Sequence, residues 1–456
     1  MTENNLTDQF LSSILAISRK NLSANIIQHV KFSLIDYIGV TIGGSVLTHD
    51  KLKKLKNLYE DVSSEGLVIG GEIKASLKNS IFFNGINSHI LELDDGSRYG
   101  VTHPGGPLFS ALLPVAFRHN VEWESFAYGV VIGYETILRI STAIQPSHYN
   151  KGYHPTATCT PLGVAVGICA MLDLPFKVTK DAFSSACISA GGSLKAIENT
   201  SKQKVINAAR GAELGFTSYC VAQAGFSGPN DVLSGVTGFL SIMASEYNPE
   251  ILIRKENDPL WIGRVYRKLY ASCRHTHGAI EGALRIKANY NISPEQIAKI
   301  TIKIYKGIRG KHDIYKIFGE ESAKMSIPYS TSAALVFGNA NNESFDANHI
   351  TNPLINNLIS KTVIEEDAYI SSLLPNKRAT EICILTTDNK AHTAFVEYPI
   401  GEPENPLQFV DLIQKYRNLV KKSNTPKVCS EEIISCIMMP CPDMPKLYNL
   451  LNNCEI

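Results

Sequence analysis

The spacing of apolar residues changes character once along this chain and then changes back, and that constrains the fold more than any single motif. Between residues 5 and 224 the apolar positions recur at helical spacing. Residues 5–44 read as two helices broken at Asn21-Leu22-Ser23, and helices follow over 76–92, 107–118, 122–143, 156–173, 180–197 and 204–224. Several are rich in Ala, Gly and Ser, as in PLGVAVGICAML and SSACISAGGSL, and small residues let helix backbones approach closely. Residues 297–305, IAKITIKIY, then alternate apolar and polar at period two, as a half-buried strand does. TEICILT and AHTAFVEY flank Thr387-Asp388-Asn389-Lys390 and predict a β-hairpin with a longer turn. After the break GEPENP, helical spacing resumes over 406–421 and 429–438. An interrupted and resumed helical pattern predicts a mainly α protein. Its large helical domain comprises 1–264 plus 401–456, and a smaller α+β domain, 265–400, is inserted into it.

Charge narrows the function. Lys plus Arg number 44 against 43 Asp plus Glu, so the chain lacks the basic footprint of a nucleic-acid binder, and any anion site must be local. The N-terminal MTENNLTDQFLSSILAISRK has no basic segment leading into an apolar run, so no signal peptide is expected. No stretch reaches about 18 uninterrupted apolar residues, so no membrane span is expected either. The ten cysteines are scattered without CxxC spacing, which fits a reduced, cytoplasmic protein.

Polar clusters interrupt the helical pattern. Glu92-Leu93-Asp94-Asp95 precedes a loop of turn residues ending in Thr102-His103-Pro104-Gly105-Gly106, which sets carboxylates beside an imidazole. Gly152-Tyr153-His154-Pro155-Thr156 places a histidine at a helix start, where backbone N–H groups attract anions. Lys202 and Lys204 open the helix KVINAARGAELGF at its positive end, against the macrodipole, which calls for a negative partner.

The stretch ASCRHTHGAIEGALRI holds Cys273, Arg274, His275 and His277 within five positions. On a helix starting near Arg274, residues 274, 277 and 281 share a face, whereas His275 and His277 diverge. That weakens zinc, which wants His at i and i+4 or paired Cys, and favours an Arg–His pair holding a carboxylate. Nothing nearby activates Cys273 as a nucleophile. AKMSIPY adds Lys324 and Tyr329 beside a rigid proline. Together these groups suit proton abstraction next to a carboxylate on a small polyanion.

As an ordered set the motifs resemble those of the MmgE/PrpD family, which includes 2-methylcitrate dehydratase, cis-aconitate decarboxylase and iminodisuccinate epimerase. The resemblance runs through VKFSLIDYIGVTIGG, HILELDDGSRYGVTHPGG, GYETILRI, GYHPTATCTPLG, KQKVINAARGAELGF, YASCRHTHGAIEGAL, AKMSIPY and YPIGEPENP. It implies a helical domain capped by an α+β lid, an active site in the cleft between them, a homodimer, and no metal or organic cofactor. It implies His103, His154 and Lys204 as catalytic residues. Glu92, Asp94, Lys202, Arg274, His277 and Tyr329 are implied as substrate-binding residues, and His275 as structural. The sequence departs from the family's Asp-Phe-Asp-Asp-Thr at Glu92-Leu93-Asp94-Asp95-Gly96, next to the substrate. The expected activity is a lyase dehydrating or decarboxylating a small citrate-like di- or tricarboxylate by metal-free acid/base chemistry. An epimerase of a dicarboxylate such as iminodisuccinate and a non-catalytic carboxylate-binding protein are the alternatives.

Overall fold

The computed structural model describes residues 5–198 and 201–454. Helix accounts for 57% of the structure and strand for 8%, so the chain is mainly α. Helix α1 (Leu6–Leu15) and helix α2 (Ala24–Leu58) flank the expected break, with the Ser23 hydroxyl accepting from the Ile26 N–H as the α2 cap. Helix α2 continues well past residue 44, because no glycine or proline interrupts the segment after Gly44. It is long and apolar enough to cross a bilayer, yet 83% of its apolar window is buried against protein.

Helices α3 (Leu77–His89), α4 (Gly105–Arg118), α5 (Trp123–Ala143), α6 (Pro155–Met171), α7 (Phe176–Ser189) and α8 (Lys204–Gln223) complete the first part of the body. Small residues set the α5–α6 approach. A Cβ on Gly163 would lie 2.5 Å from the Gly133 carbonyl oxygen, and one on Gly129 would lie 2.7 Å from that of Gly167. After the lid, α11 (Phe409–Val420), α12 (Lys427–Met438) and α13 (Met444–Asn452) follow, with α9 (His277–Tyr290) and α10 (Ile327–Phe337) lying in the lid. Leu412, Tyr416, Ile433 and Leu447 share one core with Leu34, Phe109 and Leu138 of the N-terminal helices.

Strands β1 (Gly66–Leu67) and β2 (Lys74–Ala75) form a small ribbon on the body. The lid sheet has β3 (Ile297–Ile304), β4 (Thr362–Glu366), β5 (Thr380–Thr386) and β6 (Ala391–Val396) in the order β4-β3-β5-β6. The β5–β6 pair is the expected hairpin, and β3 pairs antiparallel with β5. Strand β4, parallel to β3, was not legible: TVIEE is short and ends in two carboxylates. Helix α9 packs over β5 and β6, where a Cβ on Gly282 would meet Ile382 at 2.5 Å. A further apolar cluster joins Val40, Leu91, Leu93 and Leu419 of the body to Ile280, Tyr329 and Phe345 of the lid. The polar groups described next lie along this seam.

Candidate active site

The site begins where α3 ends. His89, fully buried, donates from Nδ1 to the Asp94 carboxylate at 2.7 Å. The chain then turns sharply, with Glu92 in the left-handed region at φ 58°. A side chain there costs conformational energy, so surrounding contacts must hold it. Those contacts are ionic. Lys204 Nζ, at the first turn of α8, donates to both Glu92 carboxylate oxygens at 2.5 and 2.6 Å. The negative partner that the position of Lys204 calls for is therefore Glu92. Lys268 Nζ, fully buried, donates to the Glu92 carbonyl at 2.9 Å and lies 3.6 Å from its carboxylate and 3.9 Å from Asp94. Burial alone would raise the Glu92 carboxyl; the ammonium groups of Lys204 and Lys268 outweigh it and hold the group well below the usual carboxylate range. Asp94 is likewise depressed, against burial, by His89 and His103.

The loop after Asp94 is fastened from three sides. Lys415 on α11 bridges Asp36 on α2, at 2.6 Å, and the Leu93 carbonyl, at 2.7 Å. Asp95 accepts from the Tyr134 hydroxyl at 2.7 Å and the Gly105 N–H at 2.9 Å, and burial pushes its carboxyl up to about 7. Gly96 exchanges backbone hydrogen bonds with Tyr266. His103 is thereby held edge-on to His89, with ring centroids 4.9 Å apart.

The two histidines beside the cluster, His103 and His154, present opposite faces of imidazole chemistry. His103 Nδ1 lies 2.8 Å from the Asp95 carbonyl oxygen, which can only accept. Nδ1 therefore carries the proton, and Nε2 of the neutral ring carries a lone pair. His154, the N-cap of α6, has Nδ1 2.9 Å from the Asn207 side-chain amide nitrogen. That nitrogen also faces the Ser193 carbonyl at 3.4 Å, which fixes it as the donor. His154 Nδ1 therefore accepts, and Nε2 of the neutral ring carries the hydrogen. Both rings are neutral. Burial pushes His103 down to about 3, with Asp94 opposing and Lys268 and Lys204 assisting. Burial and Lys204 hold His154 well below the ordinary imidazole range.

Lys324, from the lid, is also buried and lines the same cavity as Glu92 and Lys204, with its ammonium 3.1 Å from Asn342 Oδ1. The lining of that cavity carries the ammonium groups of Lys51, Lys54, Lys202, Lys204 and Lys324 against the carboxylates of Glu92, Glu320 and Glu321. The excess is positive, and it supplies the local anion site that a nearly neutral chain requires.

The structure brings Glu92, Asp94, His103, His154 and Lys204 together, and leaves four expected residues out. Arg274 commits its guanidinium to Glu402 at 2.9 Å, to the carbonyls of Pro399 and Ile400, and to His277 Nδ1. The Arg–His pair thus forms, but it clamps the 399–402 segment instead of offering free donors. His277 is fully buried, with Nε2 3.3 Å from the Ser272 carbonyl. Tyr329 is fully buried in the seam cluster and donates to the Ser344 carbonyl at 2.7 Å. Lys202 is exposed at the cavity mouth, 3.5 Å from Glu321. His89 and Lys268 are the residues that sequence reasoning did not select, while Lys324 was noted beside Tyr329 without an implied role. His89 lies inside the HILELDDG motif and Lys268 just ahead of YASCRHTH, so their adjacency to quoted motifs was the available signal. His275 stacks on His312, 4.6 Å between centroids, and contacts the Tyr305 hydroxyl at 2.6 Å. Cys273 is pushed up by burial, with Lys204 opposing.

Residues 8–252 match the MmgE/PrpD N-terminal domain and residues 270–437 the MmgE/PrpD C-terminal domain. Human cis-aconitate decarboxylase is 24% identical over 456 aligned residues, covering 96% of this chain and 91% of its own. The mouse cis-aconitate decarboxylase is 23% identical, with 96% and 90% covered. A cis-aconitate decarboxylase-like protein, oryM, from Aspergillus oryzae is 24% identical over 79% of each chain. With the two domain matches spanning most of its length, the chain belongs to the MmgE/PrpD family.

Proposed function

We propose that this protein is a lyase that removes water or CO₂ from a small citrate-like di- or tricarboxylate, with His103 as the base. The observation that carries the reading is the opposed tautomers of His103 and His154 beside one cluster of lysines. The ammonium groups of Lys204, Lys268 and Lys324 neutralise the substrate carboxylates. The Nε2–H of neutral His154 donates to a carboxylate oxygen and stabilises the charge that builds there as the α-C–H bond breaks. His103 Nε2 takes that proton. In a dehydration the C–O bond then breaks, and the imidazolium returns the proton to the departing hydroxide as water. In a decarboxylation the C–C bond breaks, CO₂ leaves, and the carbanion takes a proton from a water at His103 Nε2, which leaves as hydroxide. The names of the relatives support this class.

An epimerase needs a second group that exchanges a proton on the opposite face. His154 presents N–H, not a lone pair, which favours the lyase. The replacement of the family's Asp and Thr by Glu92 and Gly96 leaves the particular acid open within the class. The same reading keeps the protein a cytoplasmic homodimer working without added cofactor.

The test is turnover on 2-methylcitrate, citrate, cis-aconitate and iminodisuccinate. Wild type is expected to convert a citrate-like acid, and His103→Ala to lose about 10²–10⁴-fold in kcat. Wild-type turnover in His103→Ala and His154→Ala would overturn the assignment.

A further inference from the structure

The charged cluster is one end of a larger cavity of about 560 Å³, which runs between α2, α3, the first turn of α8 and the lid segment around Lys324. Glu92, Lys204 and Lys324 line it at the site. Its walls are aliphatic: Leu52, Ile86 and Val205 come from a buried apolar cluster, and Leu55, Ile90 and Ile206 pack against that cluster half-buried. The exposed ammonium groups of Lys51, Lys54 and Lys202 stand at the mouth. Acid/base work on a triacid alone has no use for such a wall, and its size lies in the range of pockets that hold drug-sized ligands. Apolar surface opening directly onto a carboxylate-binding cluster matches a ligand with an anionic head and an aliphatic tail.

Building on the proposed carboxylate site, we propose that the substrate class is a di- or tricarboxylate bearing an alkyl chain. The head lies at Lys204 and Lys324, and the chain runs along Leu52, Leu55, Ile86 and Ile206. Each buried methylene then adds affinity, at roughly fourfold per CH₂. A fatty acid shares the tail but offers one carboxylate to the ammonium groups of Lys204 and Lys324, so it binds more weakly than the matching diacid.

Calorimetry on the full chain with succinate, 2-butylsuccinate, 2-hexylsuccinate and 2-octylsuccinate tests this without needing turnover, with octanoate as the single-carboxylate probe. Kd is expected to fall roughly fourfold per methylene until the cavity is full. In Leu55→Trp and Ile206→Trp, which fill the cavity from half-buried positions, that slope is expected to flatten while the succinate Kd moves less than about threefold. Thermal melts of both variants report whether they fold. Equal Kd across the diacid series, with succinate bound, would overturn the alkyl-chain inference and leave the carboxylate site standing. Octanoate binding as tightly as octylsuccinate would also overturn it, in favour of a fatty-acid site. No binding by any diacid would overturn the carboxylate site and this inference together.

Discussion

Gly96 and Tyr266 occupy each other's space: a Cβ at position 96 would lie 2.3 Å from the Tyr266 phenol oxygen and 2.5 Å from its Cζ. The two residues also exchange backbone hydrogen bonds, at 3.0 and 2.8 Å. The departure at position 96 is thus coupled to an aromatic ring from the start of the lid. Gly96→Thr is expected to lose about 1–3 kcal/mol by overpacking, read as a lower urea midpoint. Placed on Tyr266→Ala, the same threonine should cost less than it does on wild type. Equal costs in the two backgrounds would mean that the ring is not what excludes the side chain.

Lys204 and Glu92 form a largely buried pair, and the pair separates structural from chemical roles. Lys204→Met leaves a buried carboxylate short of its main partner and should cost about 3–5 kcal/mol. Adding Glu92→Gln removes the stranded charge and should recover most of that stability, but not turnover. Recovery of turnover in the double variant would remove Lys204 from the chemistry.

Asn207 fixes the His154 tautomer. Asn207→Asp sets an acceptor against Nδ1, draws the ring hydrogen there and leaves Nε2 with the lone pair. Nitrogen-15 NMR of the histidine rings should show Nδ1 protonated in the variant and Nε2 protonated in wild type, with kcat lower in the variant. The same tautomer in both proteins would contradict the assignment.

Stability should fall on acidification. His29, His103, His148 and His312 are pushed down by burial, to about 4, 3, 4 and 4. Each is neutral when folded, but the unfolded chain takes its proton once the pH drops below about 6.5. Their contribution is therefore complete above that pH and is lost as pH falls toward 4. Asp95, raised to about 7, works the other way: its contribution is complete below the unfolded carboxylate value and is lost as pH rises through 7. Four groups outweigh one, so urea midpoints should drop between pH 6.5 and 4.5. A flat or rising series would contradict the buried neutral histidines.

Arg274 serves the lid. Arg274→Lys cannot reproduce its bonds to Glu402, Pro399, Ile400 and His277. It should lower Tm by several degrees while shifting KM less than Lys204→Met does. A large KM effect at unchanged Tm would return Arg274 to the substrate.

Much of the architecture was legible because periodicity reports burial. Alternation in IAKITIKIY gave β3, and small-residue helical runs pointed to close helix packing, which the structure shows at α5–α6. Strand β4 and helix α13 were too short to show a period. The candidate site was legible where turn chemistry isolates a polar group, as at His103 and His154, which the fold brings near Lys204. Lys268 sits between arginine and leucine like any surface lysine, and only the fold reveals that it is fully buried beside Glu92. Arg274 is ambiguous in one dimension for a related reason: a guanidinium that binds carboxylate bidentately is equally suited to Glu402, and a one-dimensional reading cannot see the 399–402 segment return.

The central claim is that His103 handles the proton at the carbon next to a carboxylate, taking it as a C–O bond breaks or supplying it from water after a C–C bond breaks. Proton NMR in D₂O tests it most directly, with wild type and His103→Ala incubated with 2-methylcitrate, citrate, cis-aconitate and iminodisuccinate. The account predicts new vinylic signals or loss of CO₂ from a citrate-like acid with wild type, and neither with His103→Ala. Deuterium entering the α-position with the carbon skeleton unchanged would contradict it and make the protein an epimerase.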